Sequence, residues 1–133
     1  MFQDFEVPAP DVIKNAFVEP SHNDHQLVQA AVLKICTYKN AVYLNADGTV
    51  FTWFDWEKIA ENCPRLHTIY NKNGTLFKPR DIRRFALLFP KLRKFRFLIG
   101  GDLKGNERDE WIRLITDLPN IDLGRKASDF DVE

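Results

Sequence analysis

Apolar residues recur along this chain in three stretches that share one internal spacing. Trp56, Ile59, Ala60 and Cys63 form the first, Ile82, Phe85, Ala86 and Phe89 the second, and Trp111, Leu114, Ile115 and Leu118 the third. Steps of three, one and three residues place each set on a single helical stripe. Pro64, Pro90 and Pro119 follow the three stretches, where proline stops a helix. The pattern predicts helices over 55–63, 80–89 and 107–118, with Asp55 as the N-cap of the first. Short runs between them predict strands at 40–44, 66–70 and 92–99, and the start of a fourth at 121–123. Before all of these, Ser21 offers an N-cap to a helix with Leu27, Val28, Ala31, Val32 and Ile35 on one stripe.

The connectors repeat as well. Asn45-Ala46-Asp47-Gly48-Thr49-Val50-Phe51 is echoed 26 residues later by Asn71-Lys72-Asn73-Gly74-Thr75-Leu76-Phe77. The same displacement carries Cys63-Pro64-Arg65-Leu66 onto Phe89-Pro90-Lys91-Leu92, and a copy lengthened to 29 ends in Leu118-Pro119-Asn120-Ile121. A period of this size describes one supersecondary unit stacked on copies of itself. The expected fold is α/β: a short solenoid with parallel strands on its concave side and helices on its convex side. The helix after Ser21 is expected to cap the open N-terminal end of the core. Residues 1–20, with Pro8, Pro10 and Pro20, read as an extended arm, 21–126 as the repeat domain and 127–133 as an acidic tail.

Helix, proline break and then Leu92-Arg93-Lys94-Phe95-Arg96-Phe97 resembles a leucine-rich repeat. Ile59-Ala60-Glu61-Asn62-Cys63-Pro64-Arg65-Leu66 is similar to the cysteine-containing variety of F-box substrate receptors, here without an F-box. The resemblance spans residues 40–124, with Asn71 standing where the repeat has an apolar residue. It implies a non-enzymatic protein-interaction module, an adaptor or a subunit of a larger complex, that binds through its open sheet.

Composition agrees with a folded domain: 44% of the 133 residues are hydrophobic and 13% aromatic. Cys36 and Cys63 both fall in apolar helical patterns and read as buried thiols. No apolar run reaches the 18 residues of a membrane span, and Asp4, Glu6 and Asp11 stand where a leader would be basic and then apolar. The expected location is intracellular, cytoplasmic or nuclear. Asn73-Gly74-Thr75 fits a glycosylation acceptor but belongs to the repeated turn.

The net charge of zero hides an asymmetry. Between residues 78 and 96 there are eight Lys or Arg against Asp81 alone, whereas both termini are acidic. In the third strand, Leu92, Phe95 and Phe97 are expected to face the core, leaving Arg93, Lys94 and Arg96 on the open sheet. The second strand places His67, Thr68 and Tyr70 there. In the first strand, the 26-residue displacement turns Val42 and Leu44 outward and Tyr43 inward; a shift of one residue reverses this. The candidate partner-binding residues are His67, Tyr70, Arg93, Lys94 and Arg96, joined by Arg80, Arg83 and Arg84 of the basic helix. They suit an acidic or phosphorylated protein partner. The alternative is nucleic acid bound along the basic strip, but those residues come from both strand and helix sides.

Other clusters point to simpler roles. His22, Asp24 and His25 form a polar helix start and lack the further ligands of a metal site. Asp102 and Lys104 among glycines miss the spacing of a phosphate loop. No nucleophile–base pairing or catalytic carboxylate pair emerges from spacing, so no cofactor or small-molecule substrate is expected. Leu88 sits beside the apolar stripe and, with Leu87, marks a candidate lateral contact.

Overall fold

A computed structural model describes residues 25–100 and 105–130. Among these residues four α-helices and three strands alternate: α1 (His25–Ile35), β1 (Tyr43–Asn45), α2 (Trp53–Asn62), β2 (Thr68–Phe77), α3 (Pro79–Leu88), β3 (Lys94–Ile99) and α4 (Asn106–Asp117). The strands pair in parallel in the order β1-β2-β3, forming an open sheet. The helices adjoin one another in chain order. No described helix is long and apolar enough to cross a membrane.

Local chemistry explains the boundaries. The N-cap of α2 is Thr52, not Asp55: Thr52 Oγ1 accepts the Asp55 amide at 3.1 Å and Asp55 Oδ2 accepts the Thr52 amide at 3.0 Å. This reciprocal box starts the helix two residues earlier than the apolar stripe implied. Asp55 is also buried and accepts Gln29 Nε2 at 3.2 Å, which ties α1 to α2. In α3, Pro79 opens the helix and Asp81 Oδ2 accepts the Lys78 amide at 2.9 Å. Cys63, Phe89 and Leu118 end α2, α3 and α4 in the same way, each amide bonding the carbonyl four residues back. The chain then turns alike in all three places, with Leu66, Leu92 and Ile121 amides donating to Cys63, Phe89 and Leu118 carbonyls. The Ser21 cap and the 1–20 arm lie outside the described residues.

The core fills the space between the helices and one sheet face. Trp56, Ile82 and Trp111 are buried in matching places, as are Ile59, Phe85 and Leu114. Aromatic rings link the units: Trp56 meets Phe85 edge-on at 4.8 Å, Phe85 stacks on Phe95 at 4.2 Å, and Phe97 stacks on Trp111 at 5.8 Å. Ala60, Ala86 and Ile115 lie at the margin of this core, only half-buried.

The first-strand register differs from the 26-residue reading. Tyr43 pairs with Thr68 and Leu44 with Ile69, a step of 25, whereas Thr68 pairs with Lys94, a step of 26. Leu44 is therefore buried and Tyr43 turns outward, because the one-residue shift exchanges the two faces. The left-handed residue of the turn follows the same step, falling at Gly48 (φ 83°) and then at Asn73 (φ 58°). The extra residue is absorbed in an irregularity of β2 between Asn71 and Leu76, and Phe51 and Phe77 return to equivalent buried places. A Cβ at Gly74 would collide with the Thr49 carbonyl oxygen.

Asn71 is fully buried in the row between Ala46 and Phe97. Its Nδ2 donates to the Ala46 carbonyl at 2.7 Å and the Thr49 carbonyl at 2.9 Å, and its Oδ1 accepts the Thr75 amide at 3.3 Å. The expected fourth strand shrinks to one parallel bridge, Lys94 to Asp122. Within the segment read as an acidic tail, residues 127–130 form a 3-10 turn, and Phe130 is buried face-on against Trp111 at 6.3 Å. An aromatic side chain there closes the far end of the core.

Candidate functional site

The sheet face opposite the helices carries two rows set by the strand register. Tyr43, Thr68 and Lys94 form one and Asn45, Tyr70 and Arg96 the other, all half-buried. Tyr70 is the centre. Its ring lies 5.5 Å from that of Tyr43, and Lys94 Nζ and Lys72 Nζ each lie 5.7 Å from its centroid. Two ammonium groups at this distance from one ring are held by its π face while keeping donors for other groups. At the strand entrance, His67 Nδ1 lies 2.8 Å from Thr68 Oγ1, and the His67 carbonyl accepts the Arg93 amide at 2.7 Å.

The eight residues singled out in the sequence divide into two groups. His67, Tyr70, Arg93 and Lys94 come together on or beside this face. Arg96 shares the face but is engaged internally: Nη2 donates to Asp122 Oδ2 at 3.1 Å and Nη1 to the Asp122 carbonyl at 3.0 Å. The Arg96 hydrogen bond and the Gly124 amide hold the Asp122 carboxyl below its ordinary range. Gly124, at φ 76°, lets the chain pass close to the Arg96 guanidinium. Arg83 and Arg84 are struts between helices. Arg83 pairs with Asp117 of α4 at 2.9 Å, and Arg84 pairs with Glu57 of α2 at 3.0 Å while covering Trp53 at 4.3 Å. Arg80 is remote from the sheet face and lines a helix-side groove.

Two residues of the face escaped the sequence reading. Tyr43 was hidden by the one-residue register step, and Lys72 by a β2 longer than the strand expected at 66–70. The signal for Tyr43 was the choice between burying it and burying Leu44 with Ala46.

Beyond the sheet, two open grooves flank α3. One of about 450 Å³ is lined by Lys78, Pro79, Arg80, Arg83, Glu107, Glu110 and Arg113. The other, about 480 Å³, is more apolar, with Ala86, Leu87, Pro90, Leu92, Leu118 and Ile121 on its walls. Leu87 is the exposed member of its pair, whereas Leu88 is partly buried against the core.

The cysteines belong to the interior. Cys63 Sγ lies 3.4 Å from the Ile35 carbonyl, and burial pushes its thiol up to about 12; burial also raises Cys36. Among the described residues no three His, Cys, Asp or Glu side chains converge as metal ligands. The His22, Asp24 and His25 side chains and the Asp102 and Lys104 pair lie outside what is described. No protein-family model, curated protein or solved structure matches this chain.

Proposed function

We propose that this chain is a short leucine-rich-repeat interaction module, without catalytic activity, that holds an acidic or phosphorylated segment of a partner protein on its open sheet. The repeat reading is supported by the three like turns after Cys63, Phe89 and Leu118 and by strands joined in parallel. The binding reading is carried by one observation, the Tyr70 ring flanked by Lys72 and Lys94 with Tyr43 beside it. Aromatic anchors give contact area at small entropic cost, and the adjacent ammonium groups select negative charge. Binding to nucleic acid has less support, because Arg83, Arg84 and Arg96 of the basic strip are engaged in internal pairs.

The test is an anisotropy titration against libraries of acidic and phosphorylated peptides. The Lys72→Glu/Lys94→Glu variant is expected to lose at least about tenfold in affinity with an unchanged melting temperature. Unchanged peptide affinity in that variant overturns the proposal. So does tighter binding to single-stranded RNA with a steep salt dependence, the signature of counterion release.

A further inference from the structure

The open sheet carries a third row beyond the two around Tyr70. In β3, Lys94, Arg96 and Leu98 alternate with the core-facing Phe95, Phe97 and Ile99, so Leu98 points outward with the two cations. Leu76 pairs with Leu98 across the sheet, while its neighbour Phe77 is buried. Val50 comes next. The chain at 49–51 runs beside 74–77, with Thr75 Oγ1 donating to the Phe51 carbonyl at 3.4 Å, and Phe51 is buried where Val50 is not. Leu76 is 59% exposed, Val50 39%, and Leu98 is half-buried. One exposed leucine is ordinary, but three aligned apolar side chains on an otherwise polar face mark a contact surface.

The order of the rows decides what such a surface holds. The two rows nearer the strand starts present Tyr43, Tyr70, Lys94 and Arg96, with Lys72 beside the Tyr70 ring, and they call for negative charge. The third lies one pleat further along β3, about 7 Å away, and calls for apolar bulk. An extended chain laid along the strands repeats its own side-chain direction at the same interval. We infer, resting on the sheet-face reading above, that the partner segment carries acidic residues at alternate positions and, two residues beyond them, a large apolar residue that seats on Val50, Leu76 and Leu98. Cations alone accept any acidic stretch; the apolar row selects among them.

Anisotropy titrations of the full chain with labelled peptides test this. The probes are Glu-Ser-Glu-Ser-Leu, its reverse Leu-Ser-Glu-Ser-Glu, the leucine-free Glu-Ser-Glu-Ser-Ser, and Glu-Ser-Glu-Leu-Ser, whose leucine points to the opposite side of an extended chain. One of the two spaced leucine peptides is expected to bind at least about tenfold more tightly than the leucine-free one, as the burial of a leucine side chain implies. Either order supports the row, and the tighter one gives the direction of the segment. The displaced leucine should gain little. Val50→Ser/Leu76→Ser should remove the gain while the leucine-free peptide binds as before and the melting temperature shifts little, both side chains being exposed. Leu87→Ser, on the helix side, should change nothing. Equal binding with and without leucine overturns the inference and leaves the acidic reading standing, whereas no binding by any peptide removes both. A gain that survives Val50→Ser/Leu76→Ser, or an equal gain from the displaced leucine, also overturns it. So does a chain that sediments as a dimer and becomes monomeric in that variant, which assigns the row to a second copy.

Discussion

Asn71→Leu separates two accounts of why this core holds together. Leucine branches at the same side-chain carbon, sits in a row between Ala46 and Phe97, and supplies the apolar residue that the repeat pattern calls for. If burial alone decided stability, the exchange would be favourable by about 1.5–3 kcal/mol, the worth of burying a leucine side chain. Hydrogen bonding argues the other way. Nδ2 bonds the Ala46 and Thr49 carbonyls at 2.7 and 2.9 Å in a fully buried place. The Ala46 carbonyl retains the Thr49 amide at 3.3 Å, so Thr49 is the group left worse off. Losing three bonds at about 1 kcal/mol each, the Thr75 amide's to Oδ1 included, and orphaning a buried carbonyl at about 1–3 kcal/mol gives a deficit of about 4–6 kcal/mol. Against the apolar gain, the expected net is a destabilisation of about 3 kcal/mol, and about 5 kcal/mol for Asn71→Ala, which lacks that gain. Urea unfolding followed by circular dichroism should show a lower midpoint with an unchanged slope. A neutral or stabilised Asn71→Leu protein would refute the reasoning, because the amide would then be incidental to the turn it spans.

Other consequences are checked as directly. Phe130→Ala should cost about 3 kcal/mol and shift Trp111 fluorescence to the red, since it uncovers the stacked indole. Arg84→Ala should cost less than about 1 kcal/mol, because Arg84 and Glu57 are half-exposed at 50% and 49%. Asp122 has a lowered folded value, so its contribution is present above the ordinary carboxyl range and lost as pH falls through the lowered one. The stability gap between the native chain and Asp122→Asn should therefore hold at neutral pH and close in acid, as read by melting temperature. Cys63, raised to about 12, should resist iodoacetamide at pH 8 in the native chain and react rapidly in urea, by mass spectrometry.

What could be read in advance follows from periodicity. The stripes ending at Cys63, Phe89 and Leu118 needed only the helical repeat and the following prolines, and their residues are buried or half-buried together. Parallel strand pairing followed from units of nearly equal length. The site was less legible because charge counting ignores what each cation touches. Lys94 and Arg96 alternate with core residues in one short strand, yet one reaches over Tyr70 and the other closes on Asp122.

The order of helix and strand, and which helix face is apolar, were written in local spacing alone, because those properties depend on backbone geometry within a few residues. Three things waited for the tertiary structure: the 25-residue step that turns Tyr43 outward, the amide of Asn71 in an apolar row, and the return of Phe130 onto Trp111. Each depends on contacts between residues distant in the chain, where packing and buried hydrogen bonds outweigh the pattern of neighbours.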